Sequence, residues 1–437
     1  MEWYLAFALL AGTVIALMAI GMPVAFAFLC TNIVGGLVFI GGYNSLLQMV
    51  DNSTSLITTF TLAPVPLFVL LGSLFFHTGI ALRVFDALDM LFGRLPGRLC
   101  YITLAGGTLF STLTGSTMAN TAMLGSLMVP EMRRRGYSSQ MSMGPILGTG
   151  GLAMIIPPSS LAVLLASIAG LDVGGLLIAG LIPGLVLAGL YAGTIFLMVK
   201  INPDSAPSYD IVGTQWRQKL NAIVFDILPM ALVVFLVVGF IVLGISTPSE
   251  AAAFGVLGVL ILATVYKKLT WKSIVTSLDE VVRISGMIFF IIINSVVFSQ
   301  LLALSGASSG MLHWATGFDA APVVVVLIMV LVLLILGMFI DQISMMLITV
   351  PIFFPVVLAL GYDPLWFALI MLISLEMSLT TPPFGMLLFV ILGVAPKGTT
   401  LGQVALSATP YLTCDAILIA LLILFPAVSL YLPYLMS

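Results

Sequence analysis

The chain alternates long apolar stretches with short polar ones. Stretches long enough for a membrane-crossing helix, about 17–25 residues, fall at 3–20, 24–42, 62–80, 142–168 and 174–199. A polar segment, 200–221, separates these from 222–244, 249–266, 285–303, 364–393 and 403–432. Amphipathic pieces at 44–60, 81–92 and 270–283 predict helices lying along the membrane interface. Two apolar stretches, 101–131 and 322–356, are too long for one span and too short for two with a loop. Polar or small residues interrupt each midway, TLTGSTMANT in the first and LGMFIDQIS in the second. This predicts re-entrant hairpins, whose irregular tips are tolerated at membrane depth only when buried in protein or lining a wet cavity.

The same arrangement is written twice. Ser116 to Pro158 pairs without a gap with Asp341 to Pro383, 225 residues later. Pro130 then falls on Pro355, Gly136-Tyr137 on Gly361-Tyr362, and Pro157-Pro158 on Pro382-Pro383; the same offset carries Pro23 onto Pro248. The surviving identities are mostly residues that set the backbone. The expected organisation is a first repeat at 1–199 (hairpin 101–131, broken helix 142–168), a connecting loop at 200–221 and a second repeat at 222–437 (hairpin 322–356, broken helix 364–393). Five crossings and a hairpin per half make an odd number of crossings, so the second copy is expected upside down. The predicted fold class is an all-α polytopic membrane protein of two inverted-topology repeats.

Composition narrows the class. With 61% hydrophobic and 7% charged residues, a 437-residue chain does not solvate itself, which makes it a membrane protein and argues against nucleic-acid binding. The net charge of -3 says little about partners; the placement of charge says more. On the predicted topology all 14 Lys and Arg residues fall on one side. That side is assigned to the cytoplasm by the excess of basic residues in cytoplasmic loops, placing both termini outside. Cys30, Cys100 and Cys414 are isolated, as are His77 and His313, and neither a disulfide framework nor a zinc spacing is present. Residues 1–20 lack a basic leader region and read as a first span.

Interrupted helices meeting near the midplane point to a secondary transporter. Broken ends leave carbonyls unpaired at one half-helix and N–H groups at the other. The carbonyls and nearby hydroxyls suit Na⁺, and the positive N-terminal ends suit an anion. Candidates at the first tip are Thr114, Gly115, Ser116, Thr117 and Asn120. They face Gly148, Thr149, Gly150 and Gly151, followed by Pro157, Pro158 and Ser159. The second tip offers Gly337, Met338 and Asp341, facing Ser374, Glu376, Thr380, Thr381, Pro382 and Pro383. Each signal also has a plain structural reading: small residues for helix packing, Pro-Pro for a kink, Asp341 as a cap of its half-helix, and Glu376 satisfied by neighbouring helix ends. Ionisable groups at membrane depth are nevertheless costly and usually functional. Asp341 with Glu376 also admits a remote alternative, the paired carboxylates of a membrane enzyme.

The ordered motifs GSTMANTAMLGSLMVPEMRRRGYS, GTGGLAMIIPPS, GMFIDQISMMLITVPIFFPV and LTTPPFGMLLFV resemble the large, M-type (DctM-like) membrane subunit of TRAP (tripartite ATP-independent periplasmic) transporters, over nearly the whole chain. The resemblance implies a Na⁺-coupled elevator in the bacterial inner membrane. It implies two partners: a small four-helix (Q-type) membrane subunit and a soluble periplasmic protein that delivers an organic acid anion. No cofactor beyond the coupling ion is expected. Carried over, Ser116 with its neighbours Thr114, Thr117 and Asn120 forms a first Na⁺ site facing Gly150. Gly337, Asp341, Ser374, Thr380 and Thr381 form a second. Gly115, Thr149, Gly151, Pro157, Ser159, Glu376, Pro382 and Pro383 are the candidates for the substrate. Ser374 stands where the family often has Asn, Ser378 where it commonly has Gly, and Arg98 where it tends to have Gly. A self-sufficient Na⁺/carboxylate cotransporter of related architecture is the alternative.

Overall fold

The computed structural model describes residues 2–41, 62–91, 95–114, 117–207, 216–316 and 321–436, with isolated positions 47, 50, 51 and 54. The described residues are helical, with no strand among them, and the protein is an all-α membrane bundle. Among the described residues, six helices are long and apolar enough to cross a membrane: Val173–Ile201, Trp216–Val242, Pro248–Val265, Trp271–Leu304, Gln342–Ala359 and Leu401–Leu424. A seventh candidate is the pair Ser139–Ile155 and Ser160–Ala169, bent by 44°.

The helix breaks fall where proline, glycine and capping side chains dictate. Helices Arg98–Thr114 and Thr117–Arg134 flank residues 115–116, which lie outside the described residues. Pro322–Leu336 is followed by a turn and then Gln342–Ala359, capped by the Asp341 carboxylate. Thr117–Arg134 and Gln342–Ala359 have 18 residues each. The next pair, Ser139–Ile155 and Pro364–Thr380, have 17 each. All four bounds recur at the sequence offset. Gly136 (φ +86°) and Gly361 (φ +77°) turn the chain into these second helices in a left-handed conformation that a side chain disfavours. Ser138 and Asp363 then cap them, accepting from Met141 N–H at 3.3 Å and Leu365 N–H at 2.8 Å. Both Pro-Pro bonds are cis.

Two expectations need correction. The amphipathic piece 270–283 and the span 285–303 are one continuous helix of 34 residues, Trp271–Leu304. A Thr270–Ser273 capping box starts it, and Gly286 alone does not break it. At 1.5 Å per residue it is about 51 Å long, well beyond the roughly 30 Å hydrocarbon core, so its polar start and apolar remainder share one rod. The stretch 403–432 is instead two helices, Leu401–Leu424 and Ala427–Met436, because Pro426 lacks the N–H to continue the ladder. Most of the amphipathic piece 44–60 lies outside the described residues. The piece at 81–92 is the helix Ile80–Leu91.

Contacts sort the loops into two ends. Arg83 pairs with Asp226 at 2.6 Å and lies 4.1 Å over the Tyr266 ring. Gly97 packs against Val199 and Ala206, and Ser138 N–H donates to the Ser205 carbonyl at 2.8 Å. At the other end, Tyr434 donates to Asp363 at 2.7 Å, and Gly174 meets Ile241. Arg98, a departure from the resembled family, is buried and pairs with Asp89 at 2.8 Å, tying helix 80–91 to helix 98–114.

The core lies on helices 139–155 and 364–380, which are buried on every face from Met141 to Ile155 and from Trp366 to Thr380. A helix apolar all round belongs inside a bundle. Where these two meet, their few polar residues are held at the centre of the molecule.

Candidate transport site

A cavity of about 340 Å³ opens where several helix starts converge. One wall carries Thr117 and Met118 from the start of helix 117–134, Ser160 and Leu161 from the start of helix 160–169, and Asp341, Gln342 and Ile343 from the start of helix 342–359. The facing wall comes from helices 64–77 and 271–304, with Ser73, Phe76, Glu280 and Ile284. Three helix starts thus border one space, and those capped by Ser159 and Asp341 contribute partial positive charge. Among the described residues, its charged lining groups are Asp341 and Glu280, and no lysine or arginine lines it.

Behind the first wall lies a buried polar network. Gln342 Nε2 donates to Glu376 Oε2 at 2.7 Å. Glu376 Oε1 has no hydrogen-bond partner among the described residues and stands against Gly150. One residue along, Gly151 faces the Tyr191 hydroxyl and the Asp415 carboxylate, and Tyr191 donates to Asp415. Asn120 Nδ2 donates to Thr149 Oγ1 at 3.4 Å, while Thr149 donates to the Ile146 carbonyl at 2.7 Å. The Tyr411 ring packs over Gly144 and Gly148. Only glycine admits these approaches, because a Cβ at any of the four positions falls closer than 3.0 Å to a neighbour.

At the second tip, Gly337 abuts Ser378, and Phe339 and Phe384 stand 5.3 Å apart. Asp341 accepts from Ile343 N–H and Ser344 N–H, both at 3.1 Å, and from the Ser344 hydroxyl. It both caps its helix and borders the cavity. The hydroxyls of Ser374, Ser378, Thr380 and Thr381 all donate to carbonyls of their own helix turn. Their oxygen lone pairs are left to accept, the arrangement a hard cation needs.

The structure separates other predicted residues. Pro157 and Pro158 are buried against Leu177, Val237 and Ile241, away from the cavity. Ser159 caps helix 160–169 and donates to the Met154 carbonyl at 2.9 Å. Pro382 and Pro383 are exposed. Gly115, Ser116 and the side chain of Thr114 lie outside the described residues. Asp341 and Glu376 do not bond to each other: one caps its helix and the other accepts from Gln342.

Sequence reasoning missed Gln342, Asp415, Tyr191 and Glu280. Asp415 was findable, being a lone carboxylate in the apolar helix 401–424 and costly at membrane depth. No helix break flagged it, and its partner Tyr191 is remote in sequence.

The comparisons agree with this architecture. The profile of the tripartite ATP-independent periplasmic transporter DctM component matches residues 11–428. The chain is 31% identical to the C4-dicarboxylate TRAP transporter large permease protein of Pseudomonas aeruginosa, over 86% of each chain. It is 27% identical to the ectoine TRAP transporter large permease protein of Halomonas elongata, over 97% of this chain and 98% of that one. Its fold is similar to the crystal structure of the Alcanivorax borkumensis YdaH transporter, with a TM-score of 0.63 and 14% identity over 93% of this chain and 98% of that one. These relatives are named as transporter subunits and not as enzymes, and the chain belongs to the family of DctM components, the large permeases of tripartite ATP-independent periplasmic transporters.

Proposed function

We propose that this chain is the transport-bearing subunit of a Na⁺-driven importer for a small organic acid. In this reading it works by an elevator movement in the bacterial inner membrane, with both termini on the periplasmic side. It joins a small four-helix membrane subunit and receives its substrate from a soluble periplasmic binding protein. The observation that carries the reading is the cavity at 117–118, 160–161 and 341–343, where the helix N-termini at Ser159 and Asp341 supply positive potential and no basic side chain lines the space among the described residues.

The inverted relation of the two halves is supported by the recurring helix bounds and by the distribution of basic residues. The moving body comprises helices 98–134, 139–169, 322–359 and 364–394; the other helices form the scaffold. Na⁺ binds at the two tips. The first site uses Ser116 with Thr114, Thr117 and Asn120, opposite Gly150. The second uses Gly337, Asp341, Ser374, Thr380 and Thr381, whose outward lone pairs favour a cation. Bound Na⁺ lowers the cost of holding an acid group at the midplane, and the acid raises Na⁺ affinity by the same factor. Each positive charge carried inward across 100 mV contributes about 2.3 kcal/mol of driving force.

Vesicles holding this chain with the small subunit and binding protein of its own transporter provide the test. Uptake of the delivered acid is expected under an inward Na⁺ gradient and not under a K⁺ gradient. Equal uptake under both sinks Na⁺ coupling.

A further inference from the structure

We infer that the Ser295 hydroxyl is a clasp of the transport cycle, holding helix 271–304 against helix 342–359 below the cavity in this state and letting go when the moving body shifts. The inference rests on the transport reading above and names a residue that sets which state the chain favours.

A proline removes the N–H that the carbonyl four residues earlier would accept. Lipid offers no water in its place, so a donor must come from elsewhere in the protein. Side chains of neighbouring helices answer two such carbonyls. Cys100 donates to the Met141 carbonyl, freed by Pro145, at 3.2 Å, and Trp366 Nε1 donates to the Leu422 carbonyl, freed by Pro426, at 2.7 Å. A further one is the Leu347 carbonyl, freed by Pro351 inside helix 342–359, and Ser295 Oγ donates to it at 3.2 Å. A helical serine more often donates to a carbonyl of its own preceding turn, as Ser374 does. Ser295 instead reaches across to a carbonyl that its own helix cannot satisfy.

The place of this bond gives it a part in the cycle. Helix 271–304 lines the cavity with Glu280, Ile284, Met287 and Ile288, and helix 342–359 starts at it with Gln342 and Ile343. Ser295 lies about two turns past Ile288, and Leu347 about one turn past Ile343. Each is 1% exposed, so the two residues meet below the space that the walls enclose. One residue before the clasp, Asn32 Nδ2 donates to the Asn294 carbonyl at 2.7 Å and ties helix 271–304 to helix 24–36. Ser295 thus stands on a wall anchored from behind, whereas Leu347 belongs to the body that moves. Any displacement of helix 342–359 along helix 271–304 breaks a bond already at the long end of the O–H···O range. Once released, Ser295 can donate to the Ile291 carbonyl of its own helix, so only the Leu347 carbonyl is left to find another donor.

The test reads the distance between spin labels on cysteines replacing Val282 and Leu358, exposed positions of the two helices. It uses the full chain in lipid nanodiscs, with its native cysteines replaced by serine. Two distances are expected, one matching this structure and one from the shifted body. Ser295→Ala is expected to raise the second relative to the first by about two- to tenfold, the range for one lost hydrogen bond. Ser295→Thr keeps the hydroxyl and is expected to keep the original ratio. Pro351→Ala gives the Leu347 carbonyl an N–H within its own helix, so adding Ser295→Ala to it is expected to change the ratio no further. A serine that merely packs acts alike in both backgrounds, and the melting temperature of each variant shows it folded. An unchanged ratio in Ser295→Ala, or an equal rise with and without Pro351, overturns the inference and leaves the transport reading standing. A single distance that neither Na⁺ nor any of these variants alters overturns the moving-body reading as well.

Discussion

Gly150 leaves no room for a side chain beneath Glu376: a Cβ placed on it would sit 1.7 Å from the carboxylate oxygen Oε1. The two residues come from the most deeply buried helices of the molecule, so neither has space to retreat. Gly150→Ala is therefore expected to displace Glu376 and break its bond to Gln342. Overpacking of this kind costs about 1–3 kcal/mol. The readouts are melting temperature in detergent and Na⁺-dependent uptake, and both are expected to fall. A variant that melts and transports normally shows that Glu376 has another resting place.

Tyr191 and Asp415 test whether the second buried carboxylate matters for folding. Tyr191→Phe keeps the ring against Tyr411, 5.2 Å away, and removes only the donor to Asp415. Leaving that oxygen unpaired is expected to cost about 1–3 kcal/mol. Combining it with Asp415→Asn is expected to cost less than the sum of the two changes, because they act on one bond. Simple additivity in urea or thermal unfolding shows that the bond contributes nothing.

Asp341 has two tasks that substitution separates. Asn caps a helix about as well as Asp, so Asp341→Asn is expected to keep stability and to reduce Na⁺-dependent uptake. Asp341→Ala removes the cap as well and is expected to lose about 1 kcal/mol of stability in addition. Full uptake by the Asn variant across a Na⁺ titration removes Asp341 from the cation site.

The inverted arrangement is open to a labelling test. Arg134 is the last residue of the 18-residue helix Thr117–Arg134, and Asp363 caps the buried helix Pro364–Thr380. Cysteines replacing them, in a chain lacking its three native cysteines, are expected to react with impermeant thiol reagents from opposite membrane faces. Reaction from a single face refutes the inversion.

Much of the architecture was legible in the chain because the bilayer imposes its own rules. Spans show as apolar length, breaks show as Pro and Gly, and the repeat shows as the same punctuation 225 residues later. Helices 139–155 and 364–380 end just before Pro157-Pro158 and Pro382-Pro383, where two successive rings lack the N–H that the ladder needs. Single prolines such as Pro130, Pro145 and Pro355 nonetheless stand inside helices. The separation of 270–283 from 285–303 was misread because hydropathy registers where polarity changes, whereas a helix continues until something stops its hydrogen bonds. Within the site, Glu376 and Asp341 stood out as charges at membrane depth. What each touches did not, because Gln342, Gly150, Ser73 and Tyr191 reach them or their neighbours only through packing.

By itself the sequence determined that this is an all-helical membrane protein, where most of its helices break, and that Glu376 lies inside, since these follow from local backbone chemistry and the cost of polar groups in lipid. Tertiary structure alone decided that three helix starts share one cavity and that Glu280 faces them. It also decided that Asp415 lies beside Gly151. Those relations join residues far apart in the chain, and packing complementarity between buried helices leaves no periodic trace in the order of the amino acids.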